Sequence, residues 1–325
     1  MPHRGTRAVL GACWLALALP LASAADPIEP FPVRDQNPLL RPFYLPSAVD
    51  VAADGLLFRP TVSWSNTVNL PSNQTENLYV DEETVEFDLA ALYGSGPWRA
   101  RVSLPVLARG SGILDGVIND IHDWLRLPQG DRPFVNSNAY QIEYQRKGYP
   151  TVSVGKGAAL GDLDLEGGRE IIASEHADLS AWLGVELPTG SRAHSAGNGS
   201  VDTAAWLAGH VELGTHADLF AQAGIAHPGS AGVMPAVTRN TGFGTLMLGL
   251  RLTERLSGLF QIDHHSAIAS ASSLDFLEAP IIGTFGVRYR VNRRTAWEFG
   301  LIEDLKTNHS PDVTFYFGLR QALGH

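Results

Sequence analysis

Cysteine and charge are both scarce in this sequence of 325 residues. It has one cysteine, Cys13, and charged residues make up 18% of the chain. With no cysteine after position 13, a disulfide scaffold, a thiol nucleophile and a cysteine-ligated metal are excluded for the remainder. Acidic residues outnumber basic ones by 34 to 24 and no basic patch occurs, which argues against nucleic-acid binding.

Long apolar runs are also missing after residue 24. A membrane-spanning helix needs about 20 consecutive apolar residues, and no such run is present. Glycine is frequent, at 33 of 325 residues, and the apolar residues are dispersed. Few charges, frequent glycine and dispersed apolar residues are typical of transmembrane β-barrels.

The N-terminus has the pattern of a secretory signal peptide. Arg4 and Arg7 precede the apolar stretch 8–21, and small residues follow at 22–24. We predict cleavage after Ala24, which takes the net charge from -10 to -12 because two arginines leave. Export to the outer membrane of a Gram-negative cell makes membrane lipid and the barrel assembly machinery the expected partners, with no nucleic acid.

Residues 25–54 are rich in proline. Proline cannot donate a hydrogen bond to a β-ladder, so this segment is not a central strand. We expect it either to plug a lumen or to form a periplasmic leader. The side chains expected to act in a plug are Arg34, Asp35, Asn37, Arg41, Phe43 and Tyr44.

From residue 55 to residue 325, apolar and polar residues alternate with period two, as in strands with one apolar face. A soluble β-sandwich has the same period. Here, however, short turns alternate with long connections, which is typical of outer-membrane barrels. We therefore predict an all-β chain, a single antiparallel transmembrane β-barrel of about 14 strands. The alternative is about 12 strands, if Thr151 to Val154 is only a bulge or an inward excursion.

One long connection has helical periodicity. Between Gly112 and Leu127 the apolar residues recur at three- and four-residue spacing. This predicts an amphipathic helix in an extracellular loop, which lies against the barrel mouth, folds into it or merely covers the strand ends.

The polar residues of the alternating pattern predict the lining of a lumen. Opposite charges on neighbouring strands are expected either to select solutes or to form ion pairs that fill the barrel. The predicted lining residues are Glu86, Asp88, Arg99, Arg101, Glu143, Asp162, Asp164, Glu186, Asp202, Glu212, Arg251, Asp263, Arg288, Arg290 and Glu298.

Catalytic chemistry is weakly indicated. His264 and His265 lie beside Asp263 and Ser266, but adjacent histidines of a strand point to opposite faces, and no Gly-x-Ser-x-Gly elbow occurs. We therefore predict no catalytic residues, no metal site and no cofactor, and an outer-membrane hydrolase is the least favoured function.

Several short motifs resemble those of known barrel families. Residues 160–163 (LGDL) and 183–190 (LGVELPTG) resemble a hairpin of small-molecule outer-membrane barrels, including the family of the phenol meta-cleavage pathway. Residues 33–38 (VRDQNP), His122-Asp123 with 127–130 (LPQG), and Glu303-Asp304 with 311–313 (PDV) resemble a bacterial family of unknown function, number 3187 of the domain-of-unknown-function series. The resemblance implies an outer-membrane barrel without an established substrate.

We therefore expect a passive channel or transporter for small molecules, with hydrophobic ones as one option and the solute unidentified. The alternative is a barrel with structural or surface-binding duties that transports nothing. A barrel of about 14 strands is wide enough to need a plug or to hold an aqueous lumen.

Overall fold

The computed structural model describes residues 27–49, 54–126, 129–229, 240–269 and 272–323. The predicted signal peptide, residues 1–24, lies outside the described residues. In the described part of the chain, none of the helices is both long and apolar enough to cross a membrane.

Twelve antiparallel strands form a closed barrel. Each strand pairs with its neighbours in the ring, and the last strand pairs with the first to close it. The barrel strands are β1 (Gly55–Asn69), β2 (Glu76–Ser95), β3 (Trp98–Gly110), β7 (Leu163–Ala173), β8 (Ala177–Leu187), β9 (Asp202–Leu213), β10 (Ala217–His227), β11 (Thr241–Arg251), β12 (Leu256–His265), β13 (Ile281–Arg290), β14 (Thr295–Asp304) and β15 (Val313–Leu323).

Three more strands lie outside the barrel wall, so the main prediction of about 14 strands is wrong and the alternative of about 12 is correct. β4 (Gln141–Arg146) pairs with the start of β2, β5 (Val152–Ser153) pairs with β4, and β6 (Gly157–Leu160) pairs with the end of β3. Alternation in the sequence identifies a strand but not its ladder partner, which explains the overcount.

Side chains of the barrel strands alternate between two environments. Phe87, Phe285 and Phe299 are 39%, 52% and 45% exposed on the outer surface, whereas Glu86 and Glu298 are buried inside. A broad exposed apolar surface around a barrel is typical of contact with lipid. This is the fold of outer-membrane β-barrels, whose short turns are periplasmic and whose long loops are extracellular.

Helix α1 (Leu114–Leu125) lies on the outside of the barrel at its extracellular end. Its first residue and Ile118 pack with Trp64 and Val313, which face outward. The Glu83 carboxylate accepts a hydrogen bond of 2.7 Å from the first backbone N–H of the helix. The helix therefore does not fold into the mouth. Short 3-10 helices occur at Arg132–Phe134, Arg192–His194 and Asp275–Leu277.

Candidate functional site

The residues 27–49, here called the N-terminal segment, run inside the barrel. The ascending limb, 27–36, leads toward the extracellular end, a turn at 37–43 reverses the chain, and the descending limb, 44–49, returns. Almost every residue of the segment is buried, and none belongs to a β-strand. Its partners lie on strands around the whole wall, from β2 through β7 and β9 to β12. The segment therefore occupies the lumen.

Phe31 is the apolar anchor of the ascending limb. Its ring stacks on Tyr316 with centroids 4.8 Å apart, and it lies on two inward-facing glycines, Gly286 and Gly300. A Cβ atom at position 286 would lie only 2.4 Å from the ring, so glycine makes this contact possible. Gln261 donates to the Phe31 carbonyl and accepts from its N–H, both at 3.0 Å. The ring stacking, the two glycines and the two hydrogen bonds from Gln261 together fix the position of Phe31.

Tyr44 is the matching anchor of the descending limb. Its hydroxyl donates to Glu166 at 3.0 Å, and its backbone N–H donates to Asp202 at 3.1 Å. The hydroxyl lies over Gly184, where a Cβ would be only 2.0 Å away. Each limb thus has an aromatic ring seated where the wall has a glycine.

Two buried ion pairs join the N-terminal segment to the wall. Arg41 binds Glu86 in a two-pronged contact, with Nε to Oε2 at 2.6 Å and Nη2 to Oε1 at 2.7 Å. Arg34 donates to the Asp164 carboxylate. All four side chains are at least nine-tenths buried. Removing one partner of such a pair leaves an uncompensated charge, at a cost of about 3–5 kcal/mol.

Asp35 and Asn37, in the 33–38 motif, tie the segment to the extracellular loops. The Asp35 carboxylate accepts from the Ser310 hydroxyl at 2.8 Å and lies 3.2 Å from His265 Nε2. Asn37 Nδ2 donates to the Phe276 carbonyl at 2.6 Å. The motif that carries the family resemblance therefore supplies contacts between the segment and its surroundings.

The turn of the segment is covered by an apolar cluster at the extracellular end. Leu39, Leu40 and Phe43 are at most 2% exposed. They belong to one cluster with side chains from β2, β4 and the loop between β12 and β13. The loop and strand members of this cluster are Leu78, Val80, Ile142, Tyr144, Val154, Ile268, Ala269, Leu274, Phe276 and Leu277.

The wall also carries charge pairs of its own. Glu298 accepts from Arg59 at 2.9 Å, from Arg288 Nε at 2.9 Å and from Tyr316 at 2.9 Å. Arg101 pairs with Glu166 at 3.1 Å. Both partners of each pair belong to the wall, although Arg59 and Arg288 also donate to the Pro30 and Glu29 carbonyls of the segment.

Most residues predicted to line the lumen lie on inward positions of barrel strands. Those buried there are Glu86, Asp88, Arg99, Arg101, Asp164, Glu186, Asp202, Arg288 and Glu298, and the half-buried Arg251 and Asp263 share their side of the wall. Glu212 and Arg290 lie at the periplasmic ends of their strands, beside His176 and the Glu254 carbonyl.

Two predicted lining residues lie elsewhere. Glu143 is on β4, outside the barrel wall, because its strand pairs only with the extension of β2 and with β5. Asp162 lies in the connection before β7 and accepts backbone N–H groups from Gly190 at 2.6 Å and Asn198 at 3.3 Å. Burial raises the pKa of Asp162, and these two hydrogen bonds oppose the rise.

The prediction missed several wall residues. Arg59 lies on an inward position beside Pro60, where proline obscures the strand pattern. Glu166 precedes two glycines, which interrupt the alternation. Gln261 is uncharged, whereas the prediction rests on charged residues alone. A signal for Arg59 and Glu166 was available from spacing. Each lies two residues from an inward-facing residue, Thr61 or Asp164, and therefore faces the same way.

Carboxylates outnumber cations around Arg34. Asp164, Asp88, Glu186 and Glu86 all interact favourably with its charge. One oxygen each of Asp164 and Glu186 has no hydrogen-bond partner among the described residues. The wall at this level is therefore acidic, and the N-terminal segment supplies the balancing charge.

The adjacent histidines of β12 do not form a catalytic site. His264 faces outward, with Nδ1 2.7 Å from the Pro280 carbonyl, whereas His265 faces Asp35. A different pair, Ser191 Oγ and His194 Nδ1, lies 2.9 Å apart in an extracellular loop. No carboxylate among the described residues orients His194, as a hydrolase triad requires.

Structural comparison finds barrels of related architecture. An outer membrane channel from Pseudomonas putida F1, the COG4313 channel, is 12% identical with a TM-score of 0.56, covering 84% of this chain and 97% of its own. The NanC porin (6% identical, TM-score 0.46, coverage 83% and 100%) and the P. putida toluene transporter TodX (9%, 0.44, 84% and 91%) are more distant.

Sequence comparison agrees with the resemblance predicted from the motifs. No curated protein matches the sequence significantly. The family described as protein of unknown function (DUF3187) matches residues 6–323, nearly the whole chain, so the protein belongs to the DUF3187 family.

Proposed function

We propose that this protein is a passive outer-membrane channel for small molecules, closed in the described conformation by its N-terminal segment. The observation that carries the proposal is that the barrel is complete without the residues that fill it. The strands pair around the full ring, while the segment adds no ladder pairing. Similarity to an outer membrane channel in fold supports the same function. Cleavage after Ala24 and export belong to this proposal.

The way the segment is attached allows it to leave. Its contacts are side-chain ion pairs, hydrogen bonds, ring packing and apolar packing in two clusters, so displacement breaks no strand–strand hydrogen bond. If strands of the barrel filled the lumen instead, only unfolding of the barrel could open it. The segment is therefore a plug that can move while the wall stays folded.

The wall beside the descending limb favours hydrophobic solutes. Trp182 stacks on Trp206 with centroids 5.8 Å apart, and Phe243 meets Trp206 edge to face at 6.2 Å. These rings belong to one apolar cluster with Tyr44, Ala48 and Val49 of the descending limb, so displacing the limb would uncover them. Such a strip offers aromatic faces against which a small apolar or aromatic molecule can pack.

A disulfide lock tests the proposal. A Cβ placed on Gly249 would lie 2.8 Å from the Cβ of Ile28. A disulfide needs about 3.8 Å, so the segment must move away from the wall by about 1 Å for the bond to form. We expect the oxidised Ile28→Cys/Gly249→Cys protein to exclude uncharged solutes from proteoliposomes, and reduction to restore their entry. Ile28→Cys alone is the matched control.

If the wild type and the reduced lock both exclude every solute tested, the barrel does not transport, and the structural alternative replaces the proposal. Hydrolase activity is not proposed, because His264 and His265 face different sides of the wall and the Ser191–His194 pair has no orienting carboxylate among the described residues.

A further inference from the structure

Two extracellular loops bring three metal-ligating side chains together. Asp275 and Glu278 lie on the loop between β12 and β13, and His309 lies on the loop between β14 and β15. One ligand atom from each lies within 4.8 Å of the other two. We propose that these residues bind a divalent transition-metal ion of the zinc class, which joins the two loops.

His309 is the observation that distinguishes this cluster from an ordinary group of acids. The residue is 5% exposed, and its Nε2 is buried without a hydrogen-bond partner among the described residues. That atom lies 3.9 Å from Glu278 Oε2, so it points into the cluster. A buried ring nitrogen without a partner is costly unless a ligand binds it.

The other ring nitrogen of His309 fixes its tautomer. Nδ1 lies 2.9 Å from the Thr307 carbonyl, to which it donates its hydrogen, leaving the lone pair on Nε2. This arrangement is typical of histidines that bind metals through one nitrogen. The backbone is held as well, because Asp304 Oδ2 accepts the N–H of His309 at 2.7 Å and of Ser310 at 3.0 Å.

The ligand set and its freedom to move suit a small transition-metal ion. One imidazole and two carboxylates are ligands that Zn²⁺ accepts at about 2.0–2.2 Å, with water as a fourth ligand. Ligand atoms around a tetrahedral ion lie roughly 3.3 Å apart by the same geometry, so the carboxylates must close in slightly. Asp275 is exposed and the Glu278 side chain is 45% exposed, so both can do so. Lys306, 4.0 Å from Glu278 and itself half-exposed, can turn to solvent.

The site lies on the two extracellular loops that contact the N-terminal segment near its turn. Next to Asp275, Phe276 accepts from Asn37 through its carbonyl, and next to His309, Ser310 donates to Asp35. A bound ion would therefore join the two loops that hold the turn of the N-terminal segment. This inference stands apart from the proposed channel function, because metal binding is measured without any solute flux.

Titration of the detergent-solubilised full chain with Zn²⁺ tests the site. We expect one ion per chain, with affinity lowered at least tenfold in His309→Gln and lowered also in Asp275→Asn. His264→Gln, at the same end of the barrel but facing outward, is the matched control and should bind as the wild type does. Heat-dependent mobility on gels verifies that each variant is folded.

Co²⁺ supplies an independent readout of the geometry. We expect a visible absorption band of a tetrahedral complex in the wild type and in His264→Gln, and its loss in His309→Gln. Absence of stoichiometric binding by the wild type, or equal binding by wild type and folded His309→Gln, would overturn the proposal.

Discussion

Arg41 and Glu86 form a two-pronged ion pair, 2.6 and 2.7 Å long, that joins the turn of the N-terminal segment to β2 toward the extracellular end of the barrel wall. Both side chains are about nineteen-twentieths buried. Arg41 belongs to the N-terminal segment and Glu86 to the wall. The ion pair therefore stabilises the position of the segment, and the barrel can fold without it.

Breaking this pair should release the segment. Arg41→Gln leaves the Glu86 charge buried without its partner, a penalty of about 3–5 kcal/mol, which favours displacement. Ser47→Cys reports it, because Ser47 is 3% exposed and its hydroxyl has no hydrogen-bond partner among the described residues. We expect maleimide labelling at this cysteine to accelerate roughly tenfold or more, since 1.4 kcal/mol is a factor of ten.

The control for that experiment is the double variant Arg41→Gln/Glu86→Gln. It removes both charges, so labelling should return toward the wild-type rate. A cysteine at the exposed Ser95 should react equally in every background. Equal labelling of Ser47→Cys in the single variant and the wild type would show that the pair does not hold the segment.

The glycine beneath Phe31 should be intolerant of side chains. In Gly286→Val the new Cβ would lie about where the ring now is, 2.4 Å from it, so the ascending limb must move. We expect faster labelling of Ser47→Cys in Gly286→Val, and partial recovery in Gly286→Val/Phe31→Ala, where the ring is gone. No recovery would mean that the substitution acts on the wall and not on the segment.

The lipid-facing surface should reject charge in a depth-dependent way. Leu246 lies midway along β11 and is 51% exposed, whereas Leu252 lies just beyond its periplasmic end. Leu246→Arg should lower the free energy of unfolding by about 2–4 kcal/mol and Leu252→Arg by about 0–1 kcal/mol. Denaturant unfolding in lipid vesicles measures both. Equal costs would argue that this face does not contact lipid.

Zinc should slow transport if the loop site and the channel are both present. An ion bound by Asp275, Glu278 and His309 would restrict the motion of the loops that contact Asp35 and Asn37. The N-terminal segment would then be displaced from the lumen less often. Solute entry into proteoliposomes should fall on adding Zn²⁺ to the wild type and stay unchanged in His309→Gln. Slowing of equal size in both proteins would place the effect of zinc elsewhere.

The sequence predicted the barrel wall well but not its strand count. Alternating residues such as Phe285 and Phe299 mark the lipid face because each strand separates two unlike surroundings. The strand Gln141–Arg146 shows the same alternation, yet it pairs with the overhanging start of β2. Ladder partners depend on loop geometry that is set by distant residues, so periodicity alone cannot supply them.

The contacts inside the barrel were harder to predict. Prolines indicated that residues 25–54 form no central strand, and Arg34 and Arg41 were predicted among the plug side chains without their partners. Phe31 and Tyr44 pack on glycines of β13 and β8. A glycine in a strand sequence does not indicate which side chain packs on it. The helix α1 was predicted from its period, but which surface it covers depends on Trp64 and Val313.

Single-channel conductance of the protein lacking residues 27–49 tests the central claim most directly. The deletion takes Arg34 and Arg41 away and uncovers Asp164, Glu86 and the neighbouring carboxylates, while the strand ladders remain. We predict a folded barrel with higher conductance than the wild type and a preference for cations, because the charge lining a lumen sets its selectivity. A folded barrel whose conductance and selectivity match those of the wild type would contradict the account.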